Sequence, residues 1–188
     1  MALTRDEVLT TALAIVDEYG LADLTMRRLA AQLDVQAGAL YYHVANKQTL
    51  LVALADLVLA DPVVAGLEPA TDPVEWGMAL HAALRRHRSG AELVSAALAM
   101  RPLSESPAKE LAALLADPSG DPHHAPTREA LAHEALAHGV VNLVLGHTLD
   151  EEQRDQFARL GVGSDPSPSD ARQSAARLRV ALVRLVGR

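Results

Sequence analysis

One stretch constrains this chain more than any other: Leu24 to Leu51, LTMRRLAAQLDVQAGALYYHVANKQTLL. Thr25 is placed to cap a short helix that carries Leu29, Ala30 and Leu33 inward at helical spacing. Asp34-Val35 makes a short turn, and the next helix is predicted from about Gln36 to His43. Asn46 then caps a longer helix with Leu50, Leu51, Leu54 and Leu57 toward a core. Two helices joined by so tight a turn must cross, which leaves the second free to enter a DNA major groove.

Helical patterning extends over the rest of the chain. Thr4 and Glu7 form the sequence of a capping box for a helix over Arg5 to Tyr19. Val8, Ala12, Ile15 and Tyr19 line its apolar face, and Gly20 suits its stop. Asp61-Pro62 ends the fourth helix and marks a boundary between domains of residues 1–60 and 61–188. Beyond it, helices are predicted at about Val74–His87, Ala91–Met100 and Ser106–Leu115. Thr127 caps a long helix to about Leu149, a weaker polar helix covers Asp150–Leu160, and a last one runs Ala171–Val186. Turn-rich loops occupy Asp117–Pro126 and Gly161–Asp170. No segment alternates with period two, so the fold class is all-α: an N-terminal helix-turn-helix domain and a helical C-terminal domain. Five aromatics in 188 residues leave a core of Ala, Leu and Val, which favours close-packed helices.

Charge narrows the function. The chain totals −7, and its first 50 residues carry four Lys/Arg against six Asp/Glu. DNA binding must therefore rest on a local basic surface, Arg27, Arg28 and Lys47, rather than on a diffuse field. The absence of cysteine excludes disulfides and thiolate metal sites. The opening residues do not read as a secretion signal, and no apolar run of about 18 residues occurs. The expected location is the cytoplasm, with no membrane partner.

Ala37, Gly38 and Ala39 are small residues at the start of the predicted reading helix, where they let its backbone approach base edges and thymine methyls. Tyr41, Tyr42 and His43 can reach phosphates or bases, and Lys47 stands at the positive end of a helix dipole. Arg27 lies in the first turn of the preceding helix. The pattern L-T-x-R-x-L-A, L-x-V, L-Y-x-H-V-x-N-K and L-L resembles the DNA-binding domain of the tetracycline-repressor (TetR) family, from Thr4 to about Ala60. The resemblance implies DNA contacts by Thr25, Arg27, Gln36, Ala37, Gly38, Ala39, Tyr41, Tyr42, His43 and Lys47. The family's tetracycline-binding subfamily has larger polar residues and a proline at several reading positions, so a different operator is expected.

The resemblance continues through HRSGAEL, MRPL and LGHTLDEEQ. It implies a homodimer that binds a double-stranded DNA operator and a small-molecule effector. The helix over Ala130–Leu149 is apolar nearly all round, as a helix buried on every side must be. Expected interface residues are Leu131, Gly139, Leu143, Gly146, Leu178, Leu182 and Leu185. Expected effector contacts are His81, Leu84, Met100, Arg101, His138, Asn142 and Asp150. The subfamily's drug–magnesium ligands before Arg-Pro are replaced by Ala97 and Met100, and its central-helix His by Asn142. Magnesium-tetracycline is therefore not the expected effector, and no cofactor or metal site is assigned. An enzyme is not expected: His133-Glu134 and His138 resemble a zinc-protease helix, but histidines five apart point about 140° away from each other. The alternatives are a helical adaptor without operator binding and a metal-dependent hydrolase.

Overall fold

The computed structural model describes residues 3–60, 72–100, 106–115, 128–162 and 167–187. These are helical, with no strand among them. The helices are α1 Arg5–Tyr19, α2 Met26–Gln32, α3 Ala37–Leu40, α4 Lys47–Leu59, α5 Pro73–Leu84, α6 Gly90–Met100, α7 Pro107–Leu115, α8 Arg128–Arg159 and α9 Pro168–Leu185. Among the described residues, no helix is long and apolar enough to cross a membrane. Internal contacts divide the chain into two compact units, Met1–Asp61 with Ala83–Arg101, and Pro62–Ala82 with Pro102–Arg188.

In the first unit, local capping sets the helix starts. The Thr4 side chain accepts from the Glu7 amide at 3.2 Å while the Glu7 carboxylate accepts from the Thr4 amide at 2.8 Å. Val8, Ala12, Ile15 and Val16 bury one face of α1. Tyr19, expected on that face, is instead exposed, with the Arg28 guanidinium stacked over its ring at 3.9 Å. Leu57 of α4 also turns outward, whereas Leu50 and Leu54 are fully buried. α4 packs on α6, which buries Ala91, Leu93, Val94 and Ala97. The expected helix to His87 stops at Leu84, and the turn that follows fastens onto the end of α1. There the His87 ring lies 3.1 Å from both Asp17 carboxylate oxygens, and the Arg88 amide donates to Asp17 at 3.2 Å. The Arg88 side chain donates to the Glu18 carbonyl, and the Leu21 amide donates to Ser89 Oγ at 3.4 Å.

In the second unit, α7 and α9 each pack on α8. Gly77 of α5 makes close helix contact possible: a Cβ there would fall 2.9 Å from Leu182 Cδ1 and 3.3 Å from Val140 Cγ1. Trp76 is fully buried beside it in the sequence. Glu75 accepts a two-pronged pair of hydrogen bonds from Arg179, at 2.6 and 3.0 Å. Two expected helices over Thr127–Leu149 and Asp150–Leu160 prove to be one, α8, of 32 residues. Within its polar stretch, Thr148, Glu151 and Glu152 are buried. The cap at Thr127 and the loop Asp117–Pro126 lie outside the described residues. α9 begins earlier than expected, at Pro168, behind a Ser167–Asp170 capping box.

Candidate functional site

The stretch Leu24–Leu51 folds as a helix-turn-helix. Thr25 Oγ1 accepts from the Arg28 amide at 3.0 Å and starts α2. α2 ends with the Val35 amide donating to the Ala30 carbonyl at 3.0 Å and the Asp34 amide donating to Ala31 at 3.3 Å. This is a Schellman closure, and it places Asp34 at φ 51° in the left-handed region, where aspartate is tolerated better than most side chains. α3 is shorter than expected, four residues, and Tyr41–His43 continue it as a tight turn in which the His43 and Val44 amides both donate to the Leu40 carbonyl at 2.9 Å. Leu40 and Val44 are buried and anchor this turn from beneath.

That anchoring decides what faces out. Gln36, Ala37 and Gly38 are exposed, and nothing lies within 4 Å of the position a Gly38 Cβ would take. Tyr41 is 53 % and Tyr42 91 % exposed, so neither is a core aromatic. His43 and Ala39 are half-buried. Arg27 is exposed, and Lys47 opens α4 directly after its cap Asn46, whose Oδ1 accepts from the Thr49 amide at 2.8 Å. Neither cation has an ion-pair partner among the described residues. Arg28 does: it pairs with Asp23 and stacks over the Tyr19 ring.

The expected effector residues are more scattered. His81 is buried and its Nε2 lies 2.8 Å from Glu151 Oε2. His138 is half-buried on α8, while Asn142 and Asp150 are exposed on the same helix. Leu84 and Met100 belong to the first unit, Leu84 fully buried and Met100 exposed; Arg101 lies outside the described residues. What sequence reasoning missed is the company His81 keeps. His147 Nε2 stands 3.5 Å from Glu151 Oε1 and 3.0 Å from Ser174 Oγ, and the two histidine rings meet edge to face at 5.8 Å. Burial pushes the His147 imidazole below its ordinary pKa, against the pull of the Glu151 carboxylate. The signal available in sequence was the four-residue spacing of His147 and Glu151, which puts both on one helix face.

Of the expected interface residues, Leu131 and Leu185 are exposed, Gly146 is open, and Gly139 and Leu143 are half-buried. Leu178 and Leu182 are already buried within the unit.

Residues 8–54 match the family model of bacterial regulatory proteins, tetR family. BioQ of Mycobacterium smegmatis is 35 % identical, with a TM-score of 0.74, over 98 % of this chain and 96 % of that one. The chain belongs to the TetR family. A structure of BioQ with its double-stranded DNA operator is similar over 99 % of both chains, at 34 % identity and a TM-score of 0.69. The class E tetracycline repressor of Escherichia coli is 36 % identical over 96 residues, 48 % of this chain and 46 % of the repressor. The matched segment thus spans less than half the length of that curated TetR relative. A TetR variant from Acinetobacter baumannii AYE in complex with minocycline is 25 % identical, with a TM-score of 0.71, over 98 % of this chain and 94 % of that one.

Proposed function

We propose that this chain is a transcriptional repressor that binds a palindromic double-stranded DNA operator as a homodimer in the cytoplasm and is released by a small-molecule effector. One observation carries the reading: Gln36, Ala37, Gly38, Tyr41 and Tyr42 are exposed around a buried Leu40–Val44 footing, and Arg27 and Lys47 in the same helix-turn-helix have no ion-pair partner among the described residues. An α3 with Ala37, Gly38 and Ala39 at its tip offers little side-chain hydrogen bonding, so sequence reading falls to Gln36, Arg27, methyl contacts and DNA shape. The similarity to BioQ with its operator supports the DNA partner. That of the minocycline-bound TetR variant supports a small-molecule effector.

The homodimer is supported by the outward stripe of α8, where Leu131, Ala135 and Gly146 share one exposed face. A two-fold pair of reading heads matches a palindrome with half-sites a helical turn or more apart. Effector contacts within the second unit fall to His81, His138, Asn142 and Asp150. Release requires the effector to bind the DNA-incompetent state more tightly than the competent one.

The test is operator binding by the full chain, with the DNA upstream of its own gene as probe. Tyr42→Ala and Lys47→Ala should each weaken binding about tenfold, and Lys47→Ala should reduce the salt slope by about one. Sedimentation of both variants should match the wild type. Unchanged affinity in both would remove the assigned contacts, and no binding by the wild type would favour a helical adaptor.

A further inference from the structure

The buried polar cluster of the second unit is chemically unlike its surroundings. α5 contributes His81, and α8 contributes His147 and Glu151. One ligand atom from each lies within 4.8 Å of the other two. Both imidazoles turn Nε2 toward the same carboxylate, each toward a different oxygen, Oε2 for His81 and Oε1 for His147. The side chains are 11 %, 19 % and 8 % accessible, in the order His81, His147, Glu151, so a bound ion would be largely shielded.

We propose that His81, His147 and Glu151 form a binding site for a divalent transition-metal ion of the zinc class. Two imidazole nitrogens and one carboxylate oxygen are the donor set that zinc takes in three-ligand sites, where a fourth position is left for water. Metal bonds of roughly 2.0–2.2 Å in a tetrahedron put ligand atoms about 3.3–3.5 Å apart. The His147–Glu151 separation of 3.5 Å already fits. The His81–Glu151 hydrogen bond of 2.8 Å must open, and the two histidine nitrogens must draw together, by shifts on the order of 1 Å. His81 moves its proton from Nε2 to Nδ1, a change of tautomer without net proton release. Ser174 Oγ on α9, 3.0 Å from His147 Nε2, is placed to hold the water in the fourth position. Magnesium is disfavoured because it prefers oxygen ligands and an octahedron. The ion would tie α5, α8 and α9 together at one point.

This assignment is independent of operator binding, and its test uses none. Purified full-length chain, stripped of metal, is titrated with Zn2+ alone by calorimetry and with Co2+ by visible absorption. One equivalent per chain, a tetrahedral Co2+ band and a melting temperature raised by several degrees at saturation are expected. His147→Ala and Glu151→Gln, checked for native helicity by circular dichroism, should each weaken Zn2+ binding by at least about 100-fold. The sequence holds a second histidine pair, His123-His124, and the His123→Ala/His124→Ala variant should bind as the wild type does. A wild type that binds no Zn2+ overturns the proposal, as does binding lost with His123 and His124 but retained in the cluster variants. If His147→Ala does not fold, the wild-type stoichiometry, the Co2+ band and Glu151→Gln decide the question.

Discussion

At the scale of the residue, Gly90 shows how one missing side chain holds a turn shut. It opens α6, and a Cβ there would lie 2.2 Å from the Leu84 carbonyl oxygen and 3.0 Å from its carbon. A neighbouring side chain could swing aside, but the end of α5 cannot. In an ordinary exposed helix, Gly→Ala gains about 1 kcal/mol. Here overpacking against backbone should cost about 3 kcal/mol instead. Gly38, with nothing within 4 Å, is the control. Urea unfolding should give a lower midpoint for Gly90→Ala and an equal or higher one for Gly38→Ala; a rise in both would disprove the close contact at Leu84. The residues around Gly90, HRSG, stand out as a landmark in sequence, yet their purpose is not visible there. His87, Arg88 and Ser89 reach Asp17, Glu18 and Leu21, some 70 positions back. The same distance hides the His81–Glu151 pair. Local spacing brings His147 to Glu151, but only the fold adds His81.

At the scale of the element, helix starts and one helix–helix tie depend on carboxylates that must be ionised. Hydrogen bonds from the Thr4 backbone and side chain hold Glu7 below its ordinary pKa, and those from the Ser167 side chain and backbone do the same for Asp170. A hydrogen bond from Arg179 lowers Glu75. With folded values depressed, the unfolded chain binds more protons wherever pH lies between the two, so stability rises with pH there. The contribution is fully present above the ordinary carboxylate range, from about pH 5, and fades as pH falls through the depressed folded values. Urea midpoints measured across that window should fall with acidification. The fall should be shallower in a Glu7→Gln/Glu75→Gln/Asp170→Asn variant, and an equally steep fall would show that other groups carry the acid sensitivity. The Thr4, Thr25 and Asn46 caps are legible in sequence because capping is a matter of three or four neighbouring residues. The continuity of α8 is not. Read locally, the polar run from Asp150 suggests a separate, weaker helix, and only the fold shows one unbroken helix with Glu151 and Glu152 buried.

At the scale of the whole molecule, the proposed dimer and the fold of each subunit make opposite demands on the same helices. Leu178 and Leu182 face inward and are consumed by the subunit, Leu182 against Gly77. A polar substitution there would unfold the second unit and say nothing about assembly. Val180, 61 % exposed, and Leu131, 51 % exposed, lie on surface the subunit does not use. Gly146 separates the two demands most cleanly. Its Cβ position meets nothing within 4 Å in the subunit, so a side chain there costs no packing. Helix propensity even favours the change, by roughly 0.5 kcal/mol for Gly→Glu. In a two-fold interface on this stripe, each added carboxylate would enter the seam, where close approach needs a small, uncharged residue. Gly146→Glu should therefore keep full helicity and lose no unfolding stability at the level of the monomer. Sedimentation should show the dimer dissociating at concentrations where the wild type stays paired, with operator affinity falling in step. A Gly146→Glu protein that remains as strongly dimeric as the wild type would move the interface off this face of α8.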